Sequence, residues 1–354
     1  MEIYIGLDVH ALSTTCAWVG PTGKRLGLTV VDTTAEDLRT AIAAIEGTKH
    51  VCFEEGTASA WVYEVLSPQV AEAVCCQPKK RGGSKSDAND AWRLAEELRR
   101  GALERIVFKA VREMAALRDA VRGHRLLNQD VARVKNRVKS IYRSRGIAAQ
   151  SDDVFEPTRR ATWVAQLSPP YRELAELLGQ ELDALVPLRA RAERRLLEES
   201  KPYAAIDRLS TIPGIGPIRA AYITAIVVTP HRFRSKRQFW SYCGLAVVTT
   251  SSGDWRRVRG NWVRANPAKP RGLNTNRNPW LKEIFKAAAL SATKLRADHP
   301  LRIDYEAMIM RGMRENLARL TLARRLAATA LALWKKQEVY DYSKRHRPPT
   351  SRAA

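Results

Sequence analysis

Ile3-Tyr4-Ile5-Gly6-Leu7-Asp8-Val9-His10 opens the chain, followed by Thr14–Val19 and Arg25–Asp32, the last two separated by the turn-like Gly20-Pro21-Thr22-Gly23. All three runs are short, rich in β-forming residues and bounded by turn chemistry, which predicts a three-stranded meander. Working outward, Thr33 followed by Glu36 reads as a capping box. Leu38, Ile42 and Ile45 then recur at helical spacing, so a helix is expected from about Ala35 to Glu46. His50–Glu54 reads as the next strand, Ala58–Leu66 as a helix and Ala71–Gln77 as a further apolar strand.

Three strands, helix, strand, helix, strand is the element order of a ribonuclease-H-like α/β domain. From Asp87 a helix is expected through Trp92, Leu94, Ala95 and Leu98 to about Arg100, with Gly101 as its stop signal. Between Val111 and Glu199 the pattern is long, charged and helical, broken near Gly146–Val154 and at Pro169-Pro170, and it reads as an antiparallel, coiled-coil-like arm. Its first half carries Arg122, Arg125, Arg133, Lys135, Arg137, Lys139, Arg143 and Arg145 with Asp130 as their acidic neighbour, a face suited to phosphates. After Leu209 small residues take over, beginning with Ile212-Pro213-Gly214-Ile215-Gly216-Pro217. Helical runs follow at Arg237–Cys243, Trp280–Leu295 and Tyr305–Lys336. The expected domains are therefore 1–103 (α/β), 104–200 (basic helical arm), 201–342 (mainly α) and 343–354, an Arg/Pro-rich tail expected to be disordered.

The 354 residues include 60 Lys and Arg against 37 Asp and Glu, a net charge of +23, so a polyanion is the expected partner. At 45% hydrophobic and 27% charged residues the chain is too apolar for a disordered basic protein. Cys16, Cys52, Cys75, Cys76 and Cys243 contain no C-x-x-C pair, which argues against a zinc site or a disulfide framework. The longest apolar stretch, Ala220–Val228, is far short of the roughly 20 residues of a membrane span, so no membrane partner and a cytoplasmic setting are expected.

Four acids stand out. Asp8 lies mid-strand among apolar residues, where a bare carboxylate costs several kcal/mol unless paired or bound to a cation. Glu54 repeats the situation at the end of Val51-Cys52-Phe53. Asp87 and Asp90 are spaced i, i+3, so on a helix beginning there both carboxylates face one way beside its positive end. Each has an ordinary reading as a turn or capping residue. Together, in a fold that brings the first and fourth strands beside a later helix, they supply the oxygen ligands two Mg²⁺ or Mn²⁺ ions about 4 Å apart require. His10 reads as a hydrogen-bonded structural residue without a metal role.

Ile5-Gly6-Leu7-Asp8, Phe53-Glu54-Glu55-Gly56-Thr57 and Lys85-Ser86-Asp87-Ala88-Asn89-Asp90-Ala91 together resemble the DEDD catalytic set of the one-hundred-and-ten family of bacterial insertion-sequence transposases. The resemblance continues through His124-Arg125, Lys135-Asn136-Arg137 and Ile212-Pro213-Gly214-Ile215-Gly216. It then takes in Phe239 through Gly244-Leu245 and finally Ser251-Ser252-Gly253, covering about residues 3–290 in order. What it implies is a DNA recombinase that combines RuvC-like metal chemistry at Asp8, Glu54, Asp87 and Asp90 with a serine nucleophile in a C-terminal transposase domain. By motif position that nucleophile is Ser252, with Ser251 adjacent. The resemblance also implies donor and target DNA, a structured bridge RNA encoded by the element, nucleoid association, and a homo-oligomer, dimeric and then tetrameric in the synaptic complex.

Ile212–Gly216 reads as a helix-hairpin-helix-like turn, with Gly214 and Gly216 expected to let backbone N–H groups approach a phosphate. Downstream, Arg256, Arg257, Arg259, Arg277 and Lys282, with Trp255, Trp262 and Trp280 among them, combine charge with stacking surfaces suited to nucleic acid, the Arg and Lys being expected to bind its backbone and not its bases. Two other readings compete. A RuvC-like Holliday-junction endonuclease would use the four acids to direct water and would need no serine; a binding scaffold would use the acids only structurally.

Overall fold

The opening stretch forms β1 (Glu2–Val9), which pairs antiparallel with β2 (Ser13–Val19); β2 in turn pairs with β3 (Arg25–Asp32). The structure, a computed structural model, describes residues 1–78, 86–107, 112–250, 253, 255–264 and 269–341. After the meander come α1 (Ala35–Ala43), β4 (Thr48–Glu54), α2 (Ser59–Leu66), β5 (Glu72–Cys76), α3 (Asp87–Arg99) and β6 (Ile106–Val107). The sheet order is β3-β2-β1-β4-β5-β6, with β1, β4 and β5 parallel at its centre. This mixed sheet with helices is consistent with the expected ribonuclease-H-like domain. The helix start is shifted by one residue from the expected capping box: Thr34, not Thr33, is the N-cap and accepts from the Asp37 N–H, while Thr33 donates to the His10 carbonyl.

Strand alternation sorts the side chains onto two faces. Ile3, Ile5 and Leu7 of β1 join Val51 and Phe53 of β4 and pack under α1 and α2 against Leu38, Ile42, Val62 and Leu66. Each of these fully buried side chains is worth about 1.5–3 kcal/mol relative to exposure. The opposite face carries Cys52, Val74 and Cys76, covered by Leu94 and Leu98 of α3. By the same alternation Asp8 and Glu54 emerge on the α3 face, at the carboxyl ends of two adjacent parallel strands. All five cysteines are buried.

The amino ends of the central strands are tied together by His50, whose Nε2 lies 2.6 Å from Glu2 and whose Nδ1 lies 3.1 Å from Glu72. Burial works against the charged ring, but the hydrogen bonds and charges of Glu2 and Glu72 outweigh it and leave the His50 pKa above its ordinary value of 6.5. The sign follows from linkage: a group whose folded pKa is raised stabilises the fold fully below its unfolded pKa and loses that contribution as pH rises through the folded pKa. Melting temperature should therefore fall from pH 6 upward through that window, and the slope should flatten in His50→Gln. An equal slope in both proteins would exclude His50 as its source.

The chain divides into two units, Met1–Ala115 and Ala116–Ala354. The second is helical, with α4 (Ala115–Ser144) starting at the boundary, then α5 (Pro157–Val164), α6 (Pro169–Ser200), α7 (Ala204–Ser210), α8 (Pro217–Val227) and α9 (Lys236–Tyr242). Strands β7 (Val247–Thr250) and β10 (Lys269–Leu273) pair with each other, as do β8 (Trp255–Val258) and β9 (Asn261–Arg264). The chain ends in α10 (Pro279–Ala292), α11 (Pro300–Met310) and α12 (Glu315–Lys336), so the single helix expected over Tyr305–Lys336 is interrupted between Met310 and Glu315. On α4, Val131, Val134, Val138 and Ile141 pack against α5 and α6, turning the opposite side of the helix outward. No described helix is long and apolar enough to cross a membrane. The expected disordered tail, 343–354, lies outside the described residues.

Candidate active site

Gly6 decides how near α3 can come to the sheet. A Cβ built there would stand 2.0 Å from the Ala91 carbonyl oxygen and 2.5 Å from the Ala95 nitrogen, so only hydrogen fits between β1 and the helix. That close approach sets the first turn of α3 beside the carboxyl end of β1, two residues beyond Gly6. Ser86 caps the helix, its Oγ accepting from the Asn89 N–H, so Asp87 is not needed as the cap. Asp87 and Asp90 both lie in the first turn, where the helix N-terminus favours negative charge.

The four acids form two pairs. In the first, His10 Nε2 lies 3.2 Å from Asp8 Oδ2 and 3.5 Å from Asp87 Oδ1, and one donor atom from each of the three falls within 4.8 Å of the others. In the second, Arg93 Nη2 lies 2.8 Å from Glu54 Oε1 and 3.3 Å from Asp90 Oδ1. His10 and Arg93 were not anticipated as members of the site. His10 was expected to be structural, yet it sits between two of the acids, and its place two residues after Asp8 on the same strand was the available signal. Arg93 stands at i+3 from Asp90, so helical spacing could place it beside that acid, whereas its contact with Glu54 spans 39 residues.

Burial raises the Asp8 pKa above the ordinary carboxylate range; the neighbouring His10 lowers it again in part, and the charges of Asp87 and Asp90 add to the rise. A half-buried carboxylate facing other carboxylates is a destabilised arrangement that a divalent cation would relieve. The donor set fits such an ion: carboxylate oxygens with one imidazole suit Mg²⁺ or Mn²⁺, and no thiolate takes part. Among the described residues Asp8, His10 and Asp87 form the group that could hold such an ion, while Glu54 and Asp90 are paired to Arg93.

In the second unit the basic residues divide by their surroundings. Arg125 is half-buried with its guanidinium 3.4 Å from the centre of the Trp280 ring. Lys135 and Lys139 lie over Phe155, and Lys139 also meets Asp152 at 3.2 Å. Arg133 pairs with Asp130, whereas Arg137 is exposed. Arg277 donates to the carbonyls of Asn274 and Thr275, and Lys282 has its pKa lowered by burial and by Arg277 and Lys286. Arg125, Lys135, Lys139 and Arg277 thus have internal partners, and Arg125 occupies one face of the Trp280 ring.

Arg256, Arg257 and Arg259 are exposed on the β8–β9 hairpin with Trp255 and Trp262; Arg259 and Gly260 make its tight turn. Gly214 has a positive φ of 82° and a Cβ there would lie 2.5 Å from the Ala288 carbonyl, so close packing on α10 also requires a glycine at this position. Gly216, the N-cap of α8, has open space around it. Ser251, Ser252 and Asp254 lie outside the described residues.

A mixed sheet with acids at the carboxyl ends of parallel strands and a further acid pair on the covering helix has the layout of a metal-dependent DEDD transposase domain. Family comparison agrees: the DEDD transposase profile matches residues 5–144, and the profile described as Transposase IS116/IS110/IS902 family matches residues 206–302. The chain belongs to this IS110-type transposase family. It is 32% identical over 182 residues to the "Probable family 20 transposase" of Pseudomonas aeruginosa, covering 50% of this chain and 53% of that protein. It is 25% identical over 187 residues to the transposase for insertion sequence element IS1111A of Coxiella burnetii, covering 52% and 51% respectively. The chain spans about half the length of the curated relatives it matches.

Proposed function

We propose that the protein cuts and rejoins DNA strands as the transposase of a bacterial insertion sequence. Ser252 is the nucleophile, Asp8, Glu54, Asp87 and Asp90 hold Mg²⁺ or Mn²⁺, and a bridge RNA encoded by the element selects donor and target DNA in a homo-oligomeric complex. The observation that carries this reading is the gathering of the four acids on one sheet face beside the N-terminus of α3. The Ser252 assignment rests on its place in the Ser-Ser-Gly block, within the matched 206–302 segment.

Bound divalent ions would supply charge neutralisation at the phosphate and lower the pKa of an attacking hydroxyl. The chain's own residues do the rest. Asp8 and Asp87 present oxygens from a strand end and a helix end, and His10 orients both carboxylates. The Ser252 hydroxyl loses its proton to a base, its Oγ forms a bond to phosphorus, and the bond from phosphorus to the departing sugar oxygen breaks, that oxygen taking up a proton. One phosphodiester replaces another, so the bond energy is kept and rejoining to a new strand needs no nucleotide hydrolysis. Exposed Arg137, Arg256, Arg257 and Arg259, with Trp255 and Trp262, suit nucleic-acid backbone and unpaired bases.

The experiment is a search for a covalent adduct, with the protein, the RNA flanking its gene, Mg²⁺ and donor DNA separated on denaturing gels. A protein–DNA band present in wild type and in Ser251→Ala but absent in Ser252→Ala is the expected result. Cleavage with no adduct in any lane would favour the alternative endonuclease, in which the acids direct water.

A further inference from the structure

The guanidinium of Arg93 sits between Glu54 and Asp90, and its surroundings are unlike those of an ordinary structural arginine. Its Nη2 reaches Glu54 at 2.8 Å and Asp90 at 3.3 Å, and its Nε reaches the same Asp90 oxygen at 3.4 Å. The side chain is only 17% exposed, yet its Nη1 is buried with no hydrogen-bond partner among the described residues; Glu97 Oε2 lies 3.6 Å from it. A buried arginine with a purely structural role normally has its donors satisfied. This one is retained chiefly by the charge of the acids around it, which is also the attraction a divalent ion would exert on them.

We infer that Arg93 is a positioning residue that competes with the second metal ion, so that the site loads in two unequal steps. The inference rests on the metal reading above and deepens it. The two halves differ in what stands between their carboxylates. Asp8 and Asp87 are bridged by a ring whose side chain is 55% exposed and which can itself donate a lone pair to a metal when neutral. Glu54 and Asp90 are bridged by a guanidinium, which is always charged and has no lone pair to offer. An ion entering the first half meets oxygens already turned toward it. An ion entering the second must displace Arg93 Nη2 from both acids, and the ion–carboxylate attraction is offset by the loss of that pairing. With Arg93 in place the second pair keeps its geometry and part of its charge balance before any ion arrives.

Mn²⁺ titration of the full chain, following the unbound ion by electron paramagnetic resonance, tests this without reference to activity. Wild type should bind one ion tightly and a second more weakly. Arg93→Met keeps the apolar bulk and removes the charge, and should tighten the second step by about tenfold or more, a free-energy difference of ~1.4 kcal/mol. Asp90→Asn added to Arg93→Met should abolish that gain. Arg93→Lys retains one charge but not the fork that spans both acids, so it should fall between, and it keeps the test valid if the Met variant does not fold. Unchanged or weaker second-site binding in Arg93→Met and Arg93→Lys, with wild type still taking up Mn²⁺, would overturn the competition and leave the metal reading intact. No Mn²⁺ uptake by wild type or either variant would overturn the metal reading and this inference with it.

Discussion

Asp8→Asn should abolish strand cleavage, by about a thousandfold or more, while leaving RNA and DNA binding within about twofold of wild type, because a metal-ligating carboxylate supplies several kcal/mol of transition-state stabilisation and each 1.36 kcal/mol is tenfold in rate. The same change should stabilise the metal-free fold. Burial, with the charges of Asp87 and Asp90 added to it, holds the Asp8 pKa above its ordinary value of 3.8 despite His10. A carboxyl with a raised folded pKa binds more protons folded than unfolded through the interval between the two values, so stability declines as pH rises across it and the loss is complete above the folded pKa. Asparagine cannot ionise and removes that loss. Melting of wild type and Asp8→Asn without divalent ions at pH 7.5 should show the variant unfolding at the higher temperature, and adding Mn²⁺ should raise wild type more than the variant. Unchanged cleavage in Asp8→Asn would sink the metal assignment; cleavage lost together with nucleic-acid binding would show that Asp8 acts through the fold.

A functional Asp8 would combine the two effects, weakening the resting protein and enabling the chemistry, and the first of them was legible in the sequence. A carboxylate flanked by Leu7 and Val9 announces a cost, and alternation along β1 and β4 puts Asp8 and Glu54 on one face. The i, i+3 spacing of Asp87 and Asp90 gives their shared direction once a helix is assumed. What that spacing cannot give is the counterion. Arg93 meets Glu54 across a sheet-to-helix contact, and only the closeness allowed by Gly6 brings the two within 2.8 Å.

The basic residues show the same limit from the other side. Sequence reading counts charges along α4 but not what each one touches, so Arg125, Lys135 and Lys139 were grouped with Arg137 although the first three lie against Trp280 or Phe155. Misplaced boundaries have local causes. Thr33 and Thr34 are both competent caps, and the choice rests on which one has extended backbone with its side chain toward the Asp37 N–H. The Arg259-Gly260 turn needs two consecutive residues at positive φ, and an arginine gives little sign of adopting it.

Gly6→Ala is the most severe single-atom change expected in the first unit, and its effect should pass from packing to chemistry. The added methyl would lie 2.0 Å from the Ala91 carbonyl oxygen, 2.5 Å from the Ala95 nitrogen and 2.8 Å from the Leu94 Cβ. Two of the three obstacles are backbone of α3, so rotating a side chain does not relieve the overlap and the helix itself must move off the sheet. Overpacking of a tight core costs about 1–3 kcal/mol and more where backbone must shift, so a loss of about 3 kcal/mol or more is expected, which for a unit of this size lowers its melting temperature by roughly 10–20 °C. Because Asp87 and Asp90 travel with α3 while Asp8 and Glu54 stay with the sheet, Mn²⁺ affinity should fall along with stability. Gly56→Ala is the control: the site is just as close in sequence to one of the acids, but among the described residues a Cβ there meets nothing within 4 Å, and a surface change of that kind stays within about 0.5 kcal/mol. If Gly6→Ala melts like wild type and binds Mn²⁺ equally well, the close approach of β1 and α3 is not what assembles the site. If it melts lower yet binds Mn²⁺ unchanged, the acids are held together by something other than the seating of α3 on Gly6.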